Sequence, residues 1–476
     1  GRHRDEVVAP EGAAVLLAVE VRREGQRLRA GLLEEAGYSP AADASQADVI
    51  LLNTCTVREK AEEKIFSRLG SFRPLKEENP SLLIGVCGCV AQKEGESVFR
   101  RSGLVDFVLG PRAIESLPTL LEQARRDRSH PVDLGRRDDS VRFDGRRARR
   151  APGAHAYLTV MEGCNRTCTY CIVPVTRGRE VNKEASEVIR EAEFLAAAGY
   201  REIELLGQNV NAYRSGRLHL DHLLRELQHV DGIRRLRFTT SHPAHLSLEI
   251  IRAMQDCPSV CNHLHLPVQS GADTVLERMQ RGYTRRRYLD RVEKLRSHVP
   301  GIALSTDIIV GHPGETPEEF RQSLTLLEEV EFDQVYSFLY SPRPGTAAAA
   351  QEDGVGVGEK RARLAEIQAL QQEIQLRKNR DLVGTVAEIL VDGGLIGAPV
   401  PVARATGTTV EVRDLFFNTP ARRKYLKGEP AELRYISQLL QAYALARNSF
   451  EASFAPAAAK AGWVAALDQA FARLTA

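Results

Sequence analysis

Apolar residues along this 476-residue chain follow two rhythms. Runs of strand length recur at Asp48-Val49-Ile50-Leu51-Leu52, Leu82 to Val86, Tyr157 to Met161, Glu202 to Leu206, Leu236 to Thr240, His263 to Val268, Ala303 to Val310 and Gln334 to Tyr340. Between them lie longer stretches with apolar positions three and four apart: Val57 to Phe72, Ala185 to Ala198 ahead of Gly199, Thr284 to Val299 and Pro317 to Val330. An earlier helix ends in Gly31 to Tyr38, with Gly37 at the C-terminal cap position. This alternation predicts an α/β chain: an N-terminal parallel α/β domain over residues 28–140, then six successive β/α units curled as a partial (β/α)6 barrel within residues 151–384. A long helix, Glu359 to Arg380, follows with Leu364, Ile367, Leu370 and Ile374 at helical spacing.

Charge changes this picture little. Lys and Arg number 65 against 63 Asp and Glu, which excludes a globally basic nucleic-acid binder and confines any RNA contact to local patches. Residues Arg136 to Arg150 are basic and poor in apolar residues, so they read as a solvated connector between domains, with phosphate contact as the functional alternative. Arg281, Arg285, Arg286, Arg287 and Arg291 read as a solvated basic face at a helix start, with RNA contact as the alternative. No apolar run reaches membrane-spanning length, and Val15 to Val19 is too short for a signal-peptide core. The expectation is a soluble, cytoplasmic protein with no membrane partner.

Eight cysteines, several clustered, fit metal ligation in a reducing compartment better than a disulfide framework. Cys164, Cys168 and Cys171 stand at Cys-x-x-x-Cys-x-x-Cys spacing just after a strand. Zinc wants a fourth ligand or an open catalytic position, and no further Cys or His lies close in sequence. An iron–sulfur cluster takes thiolates at such spacings, and three ligands on four irons leave one iron open to a substrate. Motifs also sit at strand ends, where βα loops build active sites: Gly207-Gln208-Asn209, Ser241-His242, Gln269-Ser270 and Gly311-His312-Pro313-Gly314-Glu315. His263 and His265 alternate on a strand and read as a packed, hydrogen-bonded pair; Cys257 and Cys261 read as structural. Cys55 and Cys89 lie just past two strands of the N-terminal domain, where ligands gather in parallel sheets.

With Tyr170 before the last cysteine, the cysteine trio resembles the radical S-adenosylmethionine (SAM) superfamily. The extended stretch EGCNRTCTYCIVPVTRGRE resembles its methylthiotransferases. Leu205 to Asn211, Thr239 to Pro243, His263 to Gly271, Thr306 to Gly311 and Ser341 to Thr346 are similar to the MiaB type of that family. The resemblance implies a 4Fe-4S cluster on Cys164, Cys168 and Cys171 that binds SAM and cleaves it to a deoxyadenosyl radical. It implies cofactor-binding roles for Tyr170, Gly207, Gln208, Asn209, Ser241, Gln269 and Gly311, and assigns no catalytic residue. It further implies a second, auxiliary 4Fe-4S cluster that donates sulfur, two of whose three ligands match Cys55 and Cys89. The third should fall near Ala18 and Val19, where there is no cysteine; Cys87, an extra thiol two residues from Cys89, is the candidate substitute for that ligand. The implied partner is tRNA, methylthiolated at carbon 2 of N6-isopentenyladenosine beside the anticodon. An electron donor such as a flavodoxin or ferredoxin and a monomeric state go with it. A sister methylthiotransferase, acting on threonylcarbamoyladenosine or on a ribosomal-protein aspartate, is the alternative.

The ends of the chain depart from that pattern. Residues 1–27 show no family resemblance, and residues 385–398 resemble only the start of the TRAM barrel that the family uses for tRNA contact. Residues 399–476 change character: Gly407 to Phe454 resembles the MutL family of DNA mismatch-repair proteins without its nucleotide-binding boxes, and an alanine-rich terminal helix follows. The whole reads as a composite, a methylthiotransferase-like body with a foreign α+β tail. A non-catalytic mismatch-repair interaction fragment is the reading of another class.

Overall fold

The structure is a computed structural model that describes residues 14–19, 24–54, 59–135, 144–150 and 153–381. The chain divides into two compact units, Gly1–Gln375 and Leu376–Ala476, and of the second only the end of one helix is described. The expected TRAM start, the MutL-like segment and Cys55 lie outside the described residues.

The N-terminal domain is built on β1 (Ala14–Val19), α1 (Glu24–Glu35), β2 (Val49–Thr54), α2 (Glu59–Ser71), β3 (Leu83–Gly88), α3 (Cys89–Glu94), β4 (Phe107–Leu109) and α4 (Leu117–Asp127). The four strands pair in parallel in chain order, with two-residue strands at either edge. Both faces of β2 are covered, and its side chains alternate between them. Val49 and Leu51 join the core under α1 and α4, while Ile50 and Leu52 join the one under α2 and α3. Burial on two faces explains the unbroken apolar run in the sequence. Each fully buried Val, Leu or Ile contributes about 1.5–3 kcal/mol. Register aligns Val19, Asn53, Cys87 and Leu109 across the sheet at its carboxyl end.

The barrel follows with β5 (His155–Thr159), α5 (Val173–Arg177), α6 (Ala185–Ala197), β6 (Glu202–Leu206), α7 (Leu220–Leu227), β7 (Arg235–Phe238), α8 (Leu248–Asp256), β8 (His263–His265), α9 (Asp273–Arg278), α10 (Arg285–His298), β9 (Ala303–Val310), α11 (Pro317–Val330), β10 (Gln334–Leu339) and α12 (Val357–Asp381). Strands β5 to β7 and β8 to β10 form two parallel three-stranded sheets, joined by a bridge between Leu236 and Val260. All six predicted strands are present. Their apolar positions, such as Ile203, Leu205, Leu236, Leu264, Leu304 and Ile308, pack beneath the helices in one core. The alternate positions carry polar groups on the concave side: Glu202 pairs with Arg237 at 2.6 Å and His265 with Asp307 at 3.5 Å. His263 and His265 both hydrogen-bond Ser305 Oγ, so the pair is packed and satisfied.

Helix starts follow local chemistry. Thr316 and Glu319 form a reciprocal capping box ahead of α11, with Pro317 at its first position, an arrangement in which the cap is worth about 1 kcal/mol. Thr284 caps α10 through Arg287 N–H, so that helix begins at Arg285 and excludes Arg281.

The basic linker is not a free connector. Arg147 and Arg149 pair with Glu35 and Glu34 on α1, while Arg150 and Lys183 share Glu191 of α6 in a group only 3–4% exposed. Spacing reads a charge run as solvated, but these arginines have carboxylates from both sides within reach. The described part of the linker therefore joins the N-terminal domain to the barrel.

Candidate functional site

Beyond β5 the chain passes through Met161–Glu162, paired with Val181–Asn182, and enters the cysteine loop that ends at α5. The loop is fastened from several sides. Cys164 N–H donates to Gly178 O at 3.2 Å, Cys171 N–H to Cys168 O at 3.0 Å and Thr169 N–H to Met279 O at 3.1 Å. Thr169 Oγ1 donates to Arg278 O at 2.9 Å. Gly163 turns at φ +76°, where a Cβ would lie 2.0 Å from Arg179 O, and its N–H donates to Gln208 Oε1 at 2.5 Å.

Cys168 is buried, whereas Cys164 and Cys171 are half-buried. Burial raises the Cys164 thiol above its ordinary range and pushes Cys171 up to about 11. Two donors face the sulfurs: Arg166 N–H lies 3.4 Å from Cys164 Sγ and Arg281 Nη1 3.3 Å from Cys168 Sγ. Among the described residues no three His, Cys, Asp or Glu side chains converge on a single metal ion. A 4Fe-4S cluster takes one thiolate per iron and fits three thiols spaced around a loop. A buried guanidinium beside them suits an anionic group. Binding such a group draws off the thiol protons that burial retains.

The strand ends around this loop carry buried polar atoms without partners. They are Asn209 Oδ1 after β6, Ser241 Oγ and His242 Nε2 after β7, both ring nitrogens of His312 after β9, and the Tyr340 hydroxyl after β10. An unsatisfied buried group costs about 1–3 kcal/mol, so four strand ends sharing this defect mark a place where a polar ligand restores the missing bonds. His242 Nδ1 accepts from Ala244 N–H at 3.2 Å, which assigns the proton of the neutral ring to the unpartnered Nε2. Burial, then the Arg281 and Arg166 guanidiniums, hold this imidazole far below its usual range, so it is a neutral donor. Burial likewise pushes His312 down to about 4.

The predicted site residues divide by what they do here. Asn209 and Ser241 offer the orphaned atoms, and Gln269 sits buried after β8 at φ +77°, a strained conformation for a residue with a side chain. The Tyr170 hydroxyl lies 3.2 Å from Arg281 Nη1. Gln208 holds the cysteine loop, and Asn211 pins His242 by exchanging two bonds with its backbone at 2.8 and 2.9 Å. Gly207 and Gly311 have packing reasons: a Cβ would lie 2.3 Å from Met161 Cγ at the first and 2.4 Å from Lys360 Cγ at the second. Arg281, His312 and Tyr340 were not among the predicted site residues. The expectation of a solvated face fails for Arg281, which is buried. His312 and Tyr340 had a signal, their place at strand ends.

The N-terminal thiols are arranged differently. Cys89 is buried at the first turn of α3, which packs on α5, the helix that follows Cys171. Cys87 lies two residues earlier on β3 and is fully buried in the core under α1 and α4, where burial pushes its thiol up to about 11. Its place is in that core, so it does not serve as the substitute ligand. The turn between them needs glycine: Gly88 has φ +93°, and a Cβ would lie 2.5 Å from Thr54 O. Of the two cysteines matched to an auxiliary cluster, Cys89 is described and Cys55 lies outside the described residues.

Comparison with known proteins agrees with this geometry. The model of the Radical SAM superfamily matches residues 158–327, and that of Uncharacterized protein family UPF0004 matches residues 22–110. A protein of Methylococcus capsulatus named tRNA-2-methylthio-N(6)-dimethylallyladenosine synthase is 47% identical over 361 residues, 75% of this chain and 79% of that one. One of the same name from Shewanella sp. (strain W3-18-1) is 42% identical over 419 residues, covering 83% and 88%. Among solved structures, the radical SAM methyltransferase TsrM of Kitasatospora setae superposes with TM-score 0.53 at 17% identity, over 71% of this chain and 77% of that one, which shows the shared fold. The cobalamin-dependent radical enzyme OxsB does so with TM-score 0.50 at 12% identity, over 76% and 56%. A barrel with three cysteines beside β5, unpartnered strand-end atoms around them and relatives at this identity have one reading: the chain belongs to the radical SAM methylthiotransferases of the MiaB type, a family whose chemistry rests on a 4Fe-4S cluster and SAM.

Proposed function

We propose that this chain methylthiolates carbon 2 of an N6-isopentenylated adenosine beside the anticodon of tRNA. The carrying observation is the 47% identity to a synthase named for that product, over a stretch that holds the cysteine loop and its strand-end surroundings. Cys164, Cys168 and Cys171 would hold the cluster, whose chemistry when bound would be one-electron reductive cleavage of SAM. Asn209, Ser241, His242 and Tyr340 orient SAM and the base through the buried atoms that lack partners, with Gln269 beside them. His242, neutral across the physiological range, donates and does not act as a base.

RNA recognition supports the reading. A loop base is readily unstacked and splayed into a pocket. Tyr336 and Phe338 are exposed at alternate positions of β10, a stacking surface for such a base. We read the chain as a cytoplasmic monomer that takes electrons from a flavodoxin- or ferredoxin-type donor. We read residues 28–140 and 151–384 as the methylthiotransferase body, with the N-terminal domain extended to β1 at Ala14–Val19, and residues 399–476 as a tail without a catalytic role.

Because the sequence has no cysteine near Ala18 and Val19, where the family's remaining auxiliary ligand is expected, SAM cleavage should outlast methylthiolation. The test reconstitutes the chain anaerobically and supplies reductant, SAM and isopentenylated tRNA. Mass spectrometry then follows deoxyadenosine and the modified nucleoside. Deoxyadenosine with little methylthiolated product is expected. Abundant product would sink the idea of an incomplete sulfur site, and absence of deoxyadenosine would sink the radical SAM assignment. Product on threonylcarbamoylated tRNA in place of isopentenylated tRNA would move the chain to the sister branch.

A further inference from the structure

Arg281 is 4% exposed and yet, among the described residues, has no carboxylate partner. Its Nε bonds the Tyr283 hydroxyl at 3.0 Å, its Nη2 Pro267 O at 2.8 Å, and its Nη1 the Tyr170 hydroxyl at 3.2 Å and Cys168 Sγ at 3.3 Å. All four acceptors are neutral oxygens or a thiol. Three other buried cations among the described residues each have a carboxylate: Lys183 has Glu191, Lys360 has Asp353 and Arg363 has Glu315. A guanidinium stays protonated in any protein environment, so an uncompensated one in the interior is costly unless an anion joins it. The side chain is held between rigid elements, on the turn from α9 into α10, and one of its donors points at the cysteine loop. A second arginine ties that turn to the loop: Arg166 Nη2 donates to Arg281 O at 2.8 Å, across Gly282 at φ +73°.

We infer that Arg281 is the counter-charge of the iron–sulfur site, a positioning residue that holds Cys168 and makes one-electron reduction there easier. The inference rests on Cys164, Cys168 and Cys171 being the cluster ligands. Reduction brings one electron from a low-potential flavin or ferredoxin-type donor and adds one negative charge at the site. No bond forms or breaks, and Arg281 keeps its proton. Net charge and hydrogen bonds to cysteine sulfur are among the factors that set cluster potentials, and Arg281 supplies both.

The test is an anaerobic redox titration of the reconstituted full chain, read by electron paramagnetic resonance, on wild type, Arg281→Lys and Arg281→Met, with iron and sulfide measured for each. Arg281→Met is expected to keep its iron and to be at least tenfold less reduced at a fixed potential, which is about 59 mV for a one-electron couple. Arg281→Lys keeps the charge and should stay within that tenfold. A wild-type midpoint in Arg281→Met overturns the inference, and so does an Arg281→Lys midpoint as low as that of Arg281→Met. If Arg281→Met loses its iron, circular dichroism decides. A folded chain without iron, while Arg281→Lys retains it, supports the counter-charge. An unfolded one leaves the decision to the Arg281→Lys midpoint, which supports the inference within tenfold of wild type and overturns it beyond. Wild type that takes up no iron, or Cys168→Ala that retains all of it, overturns the ligand assignment instead.

Discussion

Cysteines occur at the carboxyl ends of parallel strands in both halves of this molecule, with opposite outcomes. In the barrel they sit on a loop clear of the strand, fastened by backbone bonds and faced by Arg281. In the N-terminal sheet Cys87 is still within β3, where strand alternation turns it into the core; Cys89, past Gly88, has left the strand. Two residues of chain separate a packing thiol from one near the end of the sheet. Availability of a thiol as a ligand is thus decided by where the strand stops.

The strongest way to break this comparison is Cys164→Ala. Iron bound by the barrel and deoxyadenosine formation should both fall below detection, while far-ultraviolet circular dichroism stays as in wild type; deoxyadenosine at the wild-type rate would refute the contrast. Thiol labelling sharpens it next. In the iron-free chain iodoacetamide should reach half-buried Cys164 at least about 100-fold faster than Cys87, which is to react only on unfolding, as peptide mapping will show.

Glu191→Ala tests what holds the two regions together. It leaves Arg150 and Lys183 as buried cations without their shared carboxylate and should cost about 3–5 kcal/mol in urea denaturation. The smallest effect belongs to Cys87→Ala, at about 1–2 kcal/mol of stability with iron per chain unchanged, since only packing is lost. The pH dependence of that thiol has a definite sign. Its folded pKa is raised, to about 11 from 9.0, so its contribution is full below pH 9 and declines as pH rises towards 11. Replacing it by Ala should flatten stability over that window.

Much of the architecture was legible in the sequence. The six barrel strands and helices α6, α10 and α11 fall where period and caps put them, because buried faces and capping residues act locally. The cysteine loop was legible as well, since its ligand spacing is contiguous. Arg281 was not. Counted with Arg285, Arg286, Arg287 and Arg291 it looks like one helical face, but the Thr284 cap starts α10 after it and leaves it on a turn facing inward. The linker misled for a related reason: Arg150 is basic by composition and buried by virtue of Glu191, a partner 41 residues away. Asn211 showed its role only once its amide was seen to pin the His242 backbone, a contact between two different strand ends.

The linker joint also gives the molecule an uneven response to its ionic surroundings. Its α1 end is made of exposed pairs, Arg147 with Glu35 and Arg149 with Glu34, which mobile ions screen within a Debye length of about 10 Å at 0.1 M. Its barrel end, around Glu191, is closed to those ions. Rising salt therefore loosens one end of the joint first and leaves the other fastened.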